Sequence, residues 1–167
     1  MQKSEADVIT QDQIKEYFSY DNGTGRLTWK VDRNTQKTKG KIAGWINSNG
    51  YAHIQIDGKT YLAHHVVWLL HNGELPKFCI DHINGIRADN RFENLRRATN
   101  TENQQNQRKP QSNNKSGFLG VVRFGKKWKA QIGNAGKRIH IGVYDTPESA
   151  HAAYLEKKRE LHPFGTL

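Results

Sequence analysis

The feature that most constrains this chain is a stretch of 13 residues with almost no apolar side chain. Residues 104–116 read QQNQRKPQSNNKS. They cannot contribute to a hydrophobic core, and Pro110 with its Ser and Asn neighbours is typical of a linker. A chain of 167 residues accommodates two small domains. The stretch therefore predicts a first module at 1–106, a polar basic linker at 107–116 and a second module at 117–167.

The charge of the chain indicates the kind of partner that it binds. The sequence has 26 Lys and Arg against 16 Asp and Glu, a formal net charge of +10, and a pI near 9.8. Such an excess favours a polyanion, most simply nucleic acid. Positive charge can also serve solubility or attract an anionic membrane. No basic amphipathic helix stands out, so the membrane alternative is the weaker one.

Three features favour a cytoplasmic protein. The first 18 residues, MQKSEADVITQDQIKEYF, are charged and lack the apolar centre of a signal peptide. No stretch approaches the length of a membrane span, so we expect no membrane partner. The single Cys79 cannot form an internal disulfide or supply a zinc knuckle built on cysteines. We therefore expect a reducing compartment and no structural zinc.

Turn residues and alternation predict a mixture of helices and strands in the first module. Asp57-Gly58 tolerates the positive φ of a two-residue hairpin turn, and Asn72-Gly73 is a helix stop signal. Thr99 and Glu102 have capping-box spacing, which predicts a helix from about residue 100. Helices are predicted at 11–20, at 64–71 and after 100, and strands at 26–30, 51–56, 60–63, 77–83 and 95–98. The predicted core includes Trp29, Trp45, Trp68 and at least one of His64 and His65.

Residues 80–103, IDHINGIRADNRFENLRRATNTEN, are crowded with polar side chains around one Asp-His pair. Asn, Asp and Gly are ordinary turn formers, so a surface loop explains much of this composition. A nuclease site also explains it, because one His and one hard cation can activate water and neutralise phosphate charge. Asp81 and Asn103 offer oxygen ligands to such a cation. Asn94 can bond to the backbone or to His82 and hold the loop in place.

The same segment resembles the HNH signature of phage and intron-associated homing endonucleases. The resemblance is carried by DHING, DNRFENLR and TNTEN and covers about residues 51–106. His82 precedes Asn94 by 12 positions and Asn103 by 21, as in the family pattern. The upstream SYDNGTGRLTWK and GKIAGWINSNGYAHIQI also resemble the leader of such proteins. The resemblance implies an α+β fold whose first module is a ββα-metal nuclease, or His-Me finger.

The resemblance also implies a role for each of the four polar residues. His82 is the general base that deprotonates the attacking water, and Asn94 orients or braces it. Asp81 and Asn103 hold one divalent cation against the scissile phosphate. The last motif position is Asn, where many relatives have His, and an oxygen ligand favours Mg²⁺ or Mn²⁺ over Zn²⁺.

The second module is predicted to be a small three-stranded antiparallel sheet packed on one helix. LGVVRF, WKAQIG and RIHIGVYD alternate as strands, and Thr146 with Pro147 marks a helix start. Residues 116–162 resemble the DNA-binding domain of plant ethylene-response-factor transcription factors, in which the exposed sheet face lies in the major groove. The alternation places on the helix side Leu119, Val121, Trp128, Ala130, Ile132, Ile139, Ile141 and Val143.

Candidate DNA contacts follow from this resemblance and from the basic residues. Gln131, Arg138 and His140 match positions from which the plant relatives contact DNA, and an Arg fork can pair with guanine or clamp a phosphate. Val122 stands where the family usually has Arg, so the plant recognition sequence is not carried over. Lysines in turns can contact phosphate or be merely solvated. The predicted DNA contacts are Arg108, Lys109, Arg123, Lys126, Lys127, Lys129, Gln131, Arg138 and His140.

The sequence is interpreted as a metal-dependent HNH endodeoxyribonuclease, a phage homing endonuclease acting on double-stranded DNA in the cytoplasm of a bacterial host. A monomer with one metal centre nicks one strand, whereas two copies on DNA can cut both. The product carries a 5′-phosphate and a 3′-hydroxyl. Two alternatives stay open: a DNA-binding transcriptional regulator with an inactive nuclease module, and a weakly specific packaging or restriction-type nuclease.

Overall fold

The computed structural model describes residues 8–33, 36–110 and 113–165, so residues 111–112 of the predicted linker lie outside the described residues. Its contacts divide the chain into two compact units, Met1–Ala98 and Thr99–Leu167. The division falls before the linker predicted at 107–116, because the segment that follows residue 98 contacts the C-terminal elements. Among the described residues, no helix has the length and apolar character that crossing a bilayer requires.

Among its described residues, the first unit contains two α-helices, a short 3₁₀ helix at Phe92–Asn94 and three small antiparallel sheets. A two-stranded sheet pairs β1 with β2, a three-stranded sheet has the order β3-β4-β5, and a second two-stranded sheet pairs β6 with β7. The elements are α1 (Gln11–Tyr17), β1 (Phe18–Asp21), β2 (Arg26–Trp29), β3 (Trp45–Ile46), β4 (Ala52–Ile56), β5 (Lys59–Leu62), α2 (Ala63–Asn72), β6 (Cys79–His82) and β7 (Leu95–Ala98).

Local turn chemistry accounts for several of these boundaries. Asp57 and Gly58 both have positive φ, 47° and 79°, which confirms the predicted hairpin turn between β4 and β5. Gly73 ends α2 in the left-handed conformation and donates its N–H to the carbonyl of Leu69, as the predicted stop signal requires. Helix α1 is shorter than predicted, because Phe18–Asp21 leave the helix and pair with β2.

The core of the first unit is formed by aliphatic and aromatic side chains from both helices and most strands. Trp29 is buried there, as predicted, and so is His64. The prediction for Trp45 was wrong, since half of that residue is exposed (50%). The cause is its position on β3, a two-residue strand at the edge of its sheet. There the indole stacks on His53 with ring centroids 5.8 Å apart.

The second unit consists of a short helix followed by the predicted sheet and helix. Its elements are α3 (Asn100–Gln105), β8 (Val121–Phe124), β9 (Lys127–Asn134), β10 (Lys137–Tyr144) and α4 (Pro147–Leu161). The sheet is antiparallel in the order β10-β9-β8. Its core joins the sheet to α4 through Val121, Ala130, Ile132, Ala150 and Tyr154.

A β-bulge in β10 changes which side chains face α4. His140 pairs with Gln131, but Gly142 pairs with Ala130, so Ile141 is the extra residue. An extra residue reverses the alternation beyond it. Val143 was predicted to face the helix and is instead 40% exposed, while Tyr144 packs against the core in its place. The prediction for Val143 was therefore wrong because strict alternation does not anticipate a bulge.

A buried lysine ties the segment after α3 to α4. Lys158 is 1% exposed, and its Nζ donates to the carbonyl of Gln107 at 2.6 Å. Burial lowers the pKa of Lys158, and the positive charge of Arg108 lowers it further. Gly165 lies beside the same segment, since a Cβ added there would come within 2.7 Å of the carbonyl of Gln105. These contacts explain why α3 belongs to the second unit.

Candidate active site

Asp81 and His82 occupy the last two positions of β6, where the strand ends as predicted. In the antiparallel pair with β7, Asp81 lies opposite Arg96 and His82 opposite Leu95. Both side chains are buried, with 5% and 4% exposed. The two strands are joined by residues 83–94, the polar segment in which the sequence places much of its Asn and Asp. The hairpin therefore presents an adjacent carboxylate and imidazole at one strand end.

Asn94 holds the polar loop to the end of β6. Its backbone carbonyl accepts from the N–H of Ile83 (2.9 Å), and its Oδ1 accepts from the N–H of Asn84 (2.9 Å). Its Nδ2 donates to Oδ1 of Asn84 (3.1 Å) and to the carbonyl of Asp89 (2.8 Å). Arg91 pairs with Asp89 (2.8 Å), and hydrogen bonds from Arg91 lower the pKa of Asp89 to about 2. Hydrogen bonds and an ion pair between its own residues therefore hold the loop together.

The imidazole of His82 is contacted by Asn90, which the sequence-based interpretation missed. Oδ1 of Asn90 lies 3.3 Å from Nε2 of His82, and Asn90 is 4% exposed. The amide orientation is fixed because its Nδ2 donates to the carbonyl of Ala88 (3.3 Å). Since Oδ1 can only accept, the contact requires the imidazole proton on Nε2. No local signal separates Asn90 from the other loop asparagines, because its partner depends on the path of the loop.

The β1–β2 hairpin supports the backbone around Asn90. The hydroxyl of Tyr20 donates to the carbonyl of Asn90 (3.0 Å) and accepts from the N–H of Phe92 (2.8 Å). Gly25 approaches so closely that an added Cβ would lie 2.3 Å from the backbone nitrogen of Arg91. Its φ of +70° also favours glycine. The β1–β2 hairpin therefore packs against one side of the loop.

A second buried histidine lies against His82. The ring of His64 makes an edge contact with that of His82, with centroids 5.0 Å apart and planes at 86°. His64 is 3% exposed, and its Nδ1 has no hydrogen-bond partner in the described part of the chain. Burial, followed by the charges of neighbouring histidines, lowers the pKa of His64 to about 3. Burial also lowers the pKa of His82, against the opposing effects of Asn90 and Asp81. Both rings are therefore neutral at neutral pH.

The chemistry of the donor set fits a hard divalent cation. The buried carboxylate of Asp81 already faces a positive group, because its Oδ2 accepts from Nε (3.0 Å) and Nη2 (2.9 Å) of Arg96. Asn103 is exposed in α3 of the second unit and directly follows Glu102, which forms the predicted capping box with Thr99. Across the described ranges, no group of three or more His, Cys, Asp and Glu side chains is placed to hold a metal. Mg²⁺ usually keeps several waters and needs few protein ligands.

The exposed face of the C-terminal sheet carries most of the predicted DNA contacts. Residues directly opposite each other in an antiparallel pair share a face, and Lys129 lies opposite both Val122 and Val143, while Gln131 lies opposite His140. Val122, Phe124 and Val143 are exposed on this face, at 37%, 56% and 40%. The sheet therefore presents cationic, amide and apolar groups together.

Lys127 and Arg138 lie on the same exposed face, because Lys127 is opposite Phe124 and Arg138 precedes His140 by two residues of β10. Lys127 pairs with Asp145 at 3.0 Å in an exposed ion pair. Arg138 is exposed near the start of β10. The other predicted contacts have other placements. Arg123 lies opposite Trp128, which packs toward α4, and its guanidinium sits 4.8 Å over the Trp128 ring. Arg108, Lys109 and Lys126 are also exposed.

Comparison with known proteins identifies the class of the segment around the Asp81–His82 pair. The HNH endonuclease family matches residues 61–105, the span that holds Asp81, His82, Asn94 and Asn103. The chain therefore contains an HNH endonuclease domain, the domain of a nuclease that acts on DNA and generally uses a divalent metal ion. This confirms the HNH part of the sequence-based interpretation, while the resemblance to ethylene-response factors stays a prediction.

The chain is also similar to a particular phage protein. Protein 3.8 of Escherichia phage T7 is 34% identical over 102 residues, which are 59% of this chain and 83% of that protein. The chain belongs to the same family as Protein 3.8. No solved structure matches the chain.

Proposed function

We propose that this chain is a phage homing endonuclease that nicks double-stranded DNA at a preferred site. The observation that carries the proposal is the buried Asp81–His82 pair at the end of β6, inside the segment that matches HNH endonucleases. The net charge of +10 and the basic C-terminal sheet support a DNA substrate.

In this proposal His82 is the general base, and Asn90 and Asn94 position it. With its proton on Nε2 and held by Asn90, the imidazole would accept the proton of the attacking water on Nδ1. Its neutral state at neutral pH follows from the lowered pKa. Asn94 fixes the loop that carries Asn90 through its bonds to Asn84 and Asp89. Asn90 and Asn94 act through His82 and are therefore positioning residues.

Asp81 and Asn103 would hold the divalent cation, Mg²⁺ or Mn²⁺. When bound, such a cation neutralises charge on the phosphate and stabilises the leaving 3′ oxygen. The two residues contribute a carboxylate and an amide oxygen, which are hard ligands. A single site of this kind breaks one strand, so a second copy on the DNA is needed for a double-strand cut.

The exposed face of the C-terminal sheet is proposed to position the nuclease on its site. Gln131, Arg138 and His140 would contact bases, while Lys126, Lys127 and Lys129, with Arg108 and Lys109 before the sheet, would contact phosphates. Arg123 would act more indirectly, because its guanidinium lies over Trp128.

A plasmid assay tests the proposed function. Supercoiled plasmids carrying fragments of the source genome are incubated with the full chain and Mg²⁺, Mn²⁺ or EDTA. Open circles that form with metal and not with EDTA are the expected result, and mapping the ends gives the site. Linear product would mean paired action on both strands. DNA that is retarded in a gel but remains uncut with every metal would favour a DNA-binding regulator over a nuclease. Cutting at scattered positions would favour a weakly specific nuclease.

The contact between Asn90 and His82 gives a prediction about catalysis. Replacing Asn90 by Ala removes the acceptor that fixes the imidazole tautomer, and we expect nicking to slow by about 10- to 100-fold, as for other groups that orient a functional side chain. Asn90→Asp keeps an acceptor and loses the donor to Ala88. At alkaline pH, where His82 is neutral in either variant, Asn90→Asp should retain much more activity. Equal losses in the two variants would show that Asn90 matters only for the loop.

Arg138 gives a prediction about site preference. Arg138→Ala should weaken binding to the mapped site by roughly 1–3 kcal/mol and weaken binding to unrelated DNA much less, if its guanidinium reads a base. Gel-shift titrations at one fixed salt concentration measure both affinities. The matched control is Arg159→Ala, which removes the same charge from the exposed side of α4. A uniform loss on every sequence would make Arg138 a phosphate contact instead.

A further inference from the structure

The salt bridge between Asp81 and Arg96 lies where the proposed metal must bind. The two residues are directly opposite in the β6–β7 pair, and two guanidinium nitrogens converge on the single oxygen Oδ2 of Asp81, at 3.0 and 2.9 Å. Asp81 is 5% exposed, and the Arg96 side chain is 24% exposed. The pair is therefore largely shielded from water, where charge interactions are strong.

A permanent cation beside the carboxylate opposes the binding of a second one. The guanidinium of arginine stays protonated at any pH at which the protein is folded, so Arg96 cannot be neutralised by losing a proton. A divalent ion at Asp81 must either displace the guanidinium from Oδ2 or remain within a few ångströms of it against charge repulsion. Either event lowers the affinity of the free protein for metal.

DNA offers the guanidinium another partner. Arg forms bidentate pairs with phosphate as readily as with carboxylate, and the proposed reaction brings a phosphate to the same metal. Transfer of the guanidinium to a phosphate oxygen frees the carboxylate for the cation. The exchange replaces the pair with carboxylate by a pair with phosphate, so the guanidinium keeps an anionic partner.

We infer that Arg96 is the resident counter-ion of Asp81 and makes tight metal binding depend on bound DNA. This inference rests on the proposed function, since it takes Asp81 as a metal ligand. Arg96 acts on the metal through Asp81 and is thus a positioning residue. A nuclease built this way holds little metal in its active site until a phosphate arrives, and this limits unproductive metal loading.

The neighbouring Arg97 supplies a matched control. It directly follows Arg96 and lies on the other face of β7, where its guanidinium is 4.6 Å over the ring of Phe78. Arg96→Gln and Arg97→Gln remove the same charge from adjacent positions. A difference between them is therefore due to the contact with Asp81 and not to net charge.

The experiment measures Mn²⁺ binding to the full chain without DNA, by calorimetry and by the electron paramagnetic resonance signal of free Mn²⁺. Arg96→Gln should bind Mn²⁺ about tenfold more tightly than wild type, a factor within the usual range for coupled sites, and Arg97→Gln should match wild type. Adding Asp81→Asn to Arg96→Gln should remove the gained affinity, which locates the ion. A duplex with a non-cleavable phosphorothioate should tighten Mn²⁺ binding to wild type but hardly to Arg96→Gln.

Equal or weaker Mn²⁺ binding by Arg96→Gln would overturn the inference, because Arg96 would then not oppose metal binding. If thermal unfolding shows that this variant is not folded, Arg96→Met provides the same test with a side chain closer in length. The plasmid assay separates the two claims. A wild type that nicks DNA while Arg96→Gln binds Mn²⁺ unchanged refutes the inference alone, and a wild type that cuts under no metal refutes the proposed function.

Discussion

Replacement of His82 by Ala is expected to reduce the rate of nicking by about 10²–10⁴-fold, the usual contribution of a general base. The imidazole is buried, neutral at neutral pH because of its lowered pKa, and held on Nε2 by Asn90. The methyl group of Ala cannot accept a proton, so the attacking water would lose its proton acceptor. Binding to DNA should change little, since the buried imidazole of His82 is uncharged at neutral pH because of its lowered pKa. Single-turnover cleavage of the mapped duplex and gel-shift titration measure the two properties.

His71→Ala is the matched control for this substitution. His71 lies near the end of α2 in the same unit, is exposed, and stacks on Phe92 with ring centroids 4.0 Å apart. Its replacement removes an imidazole of the first unit outside the proposed site and should leave the cleavage rate within a few-fold of wild type. Thermal unfolding of both variants separates lost chemistry from lost fold. Undiminished nicking by folded His82→Ala would remove His82 from the role of base.

The division of the chain affects how the two proposed activities can be separated. A truncation after Pro110 removes Lys158, whose Nζ donates to the carbonyl of Gln107 just beyond α3. It would therefore disturb the helix that carries Asn103 as well as the sheet proposed to bind DNA. Reduced cutting by the truncated chain would not distinguish a nuclease that needs its proposed DNA-binding module from one that has lost the proposed ligand Asn103. Single substitutions such as Arg138→Ala avoid this ambiguity.

Features set by neighbouring residues were predictable from the sequence. The Asp57-Gly58 turn, the Gly73 helix end and the capping box of Thr99 and Glu102 are observed as predicted, because each depends on two or three adjacent side chains. Strand β7 also has the predicted bounds. The HNH segment was recognisable because its spacing is fixed by one hairpin and one loop.

Features set by distant residues were not predictable in this way. Asn90 is distinguished from Asn94 only by the folded loop, whose path depends on Tyr20 and on the close approach of Gly25. Trp45 is exposed because its strand is at a sheet edge, and the pairing order of strands is not written in their alternation. The bulge at Ile141 likewise reverses the faces of the residues after it. The ion pair of Asp81 with Arg96 depends on the register of β6 against β7, and a slip of one residue would abolish the pair.

Gly120→Ala is expected to lower the free energy of unfolding of the second unit by about 3 kcal/mol, the sum of backbone strain and overpacking. Gly120 has a φ of +71°, and a Cβ there would lie 1.9 Å from Cδ2 of Tyr154. Tyr154 is 8% exposed in the core between the sheet and α4, so its ring has little room to withdraw. Urea unfolding, with hydrogen exchange of the β9 amides as a local measure, reports the loss.

Gly136→Ala separates the two causes of that loss. Gly136 has a similar φ of +76°, but a Cβ there meets no atom within 4 Å, so its replacement should cost only the strain, about 1–2 kcal/mol. Equal losses for the two variants would mean that Tyr154 moves aside freely. The carbonyl of Gly120 also accepts from the N–H of Gln131 at 2.8 Å. Displacing Gly120 should therefore also disturb the side of β9 that is proposed to face DNA. Gly120→Ala should then lose site preference under conditions in which Gly136→Ala keeps it.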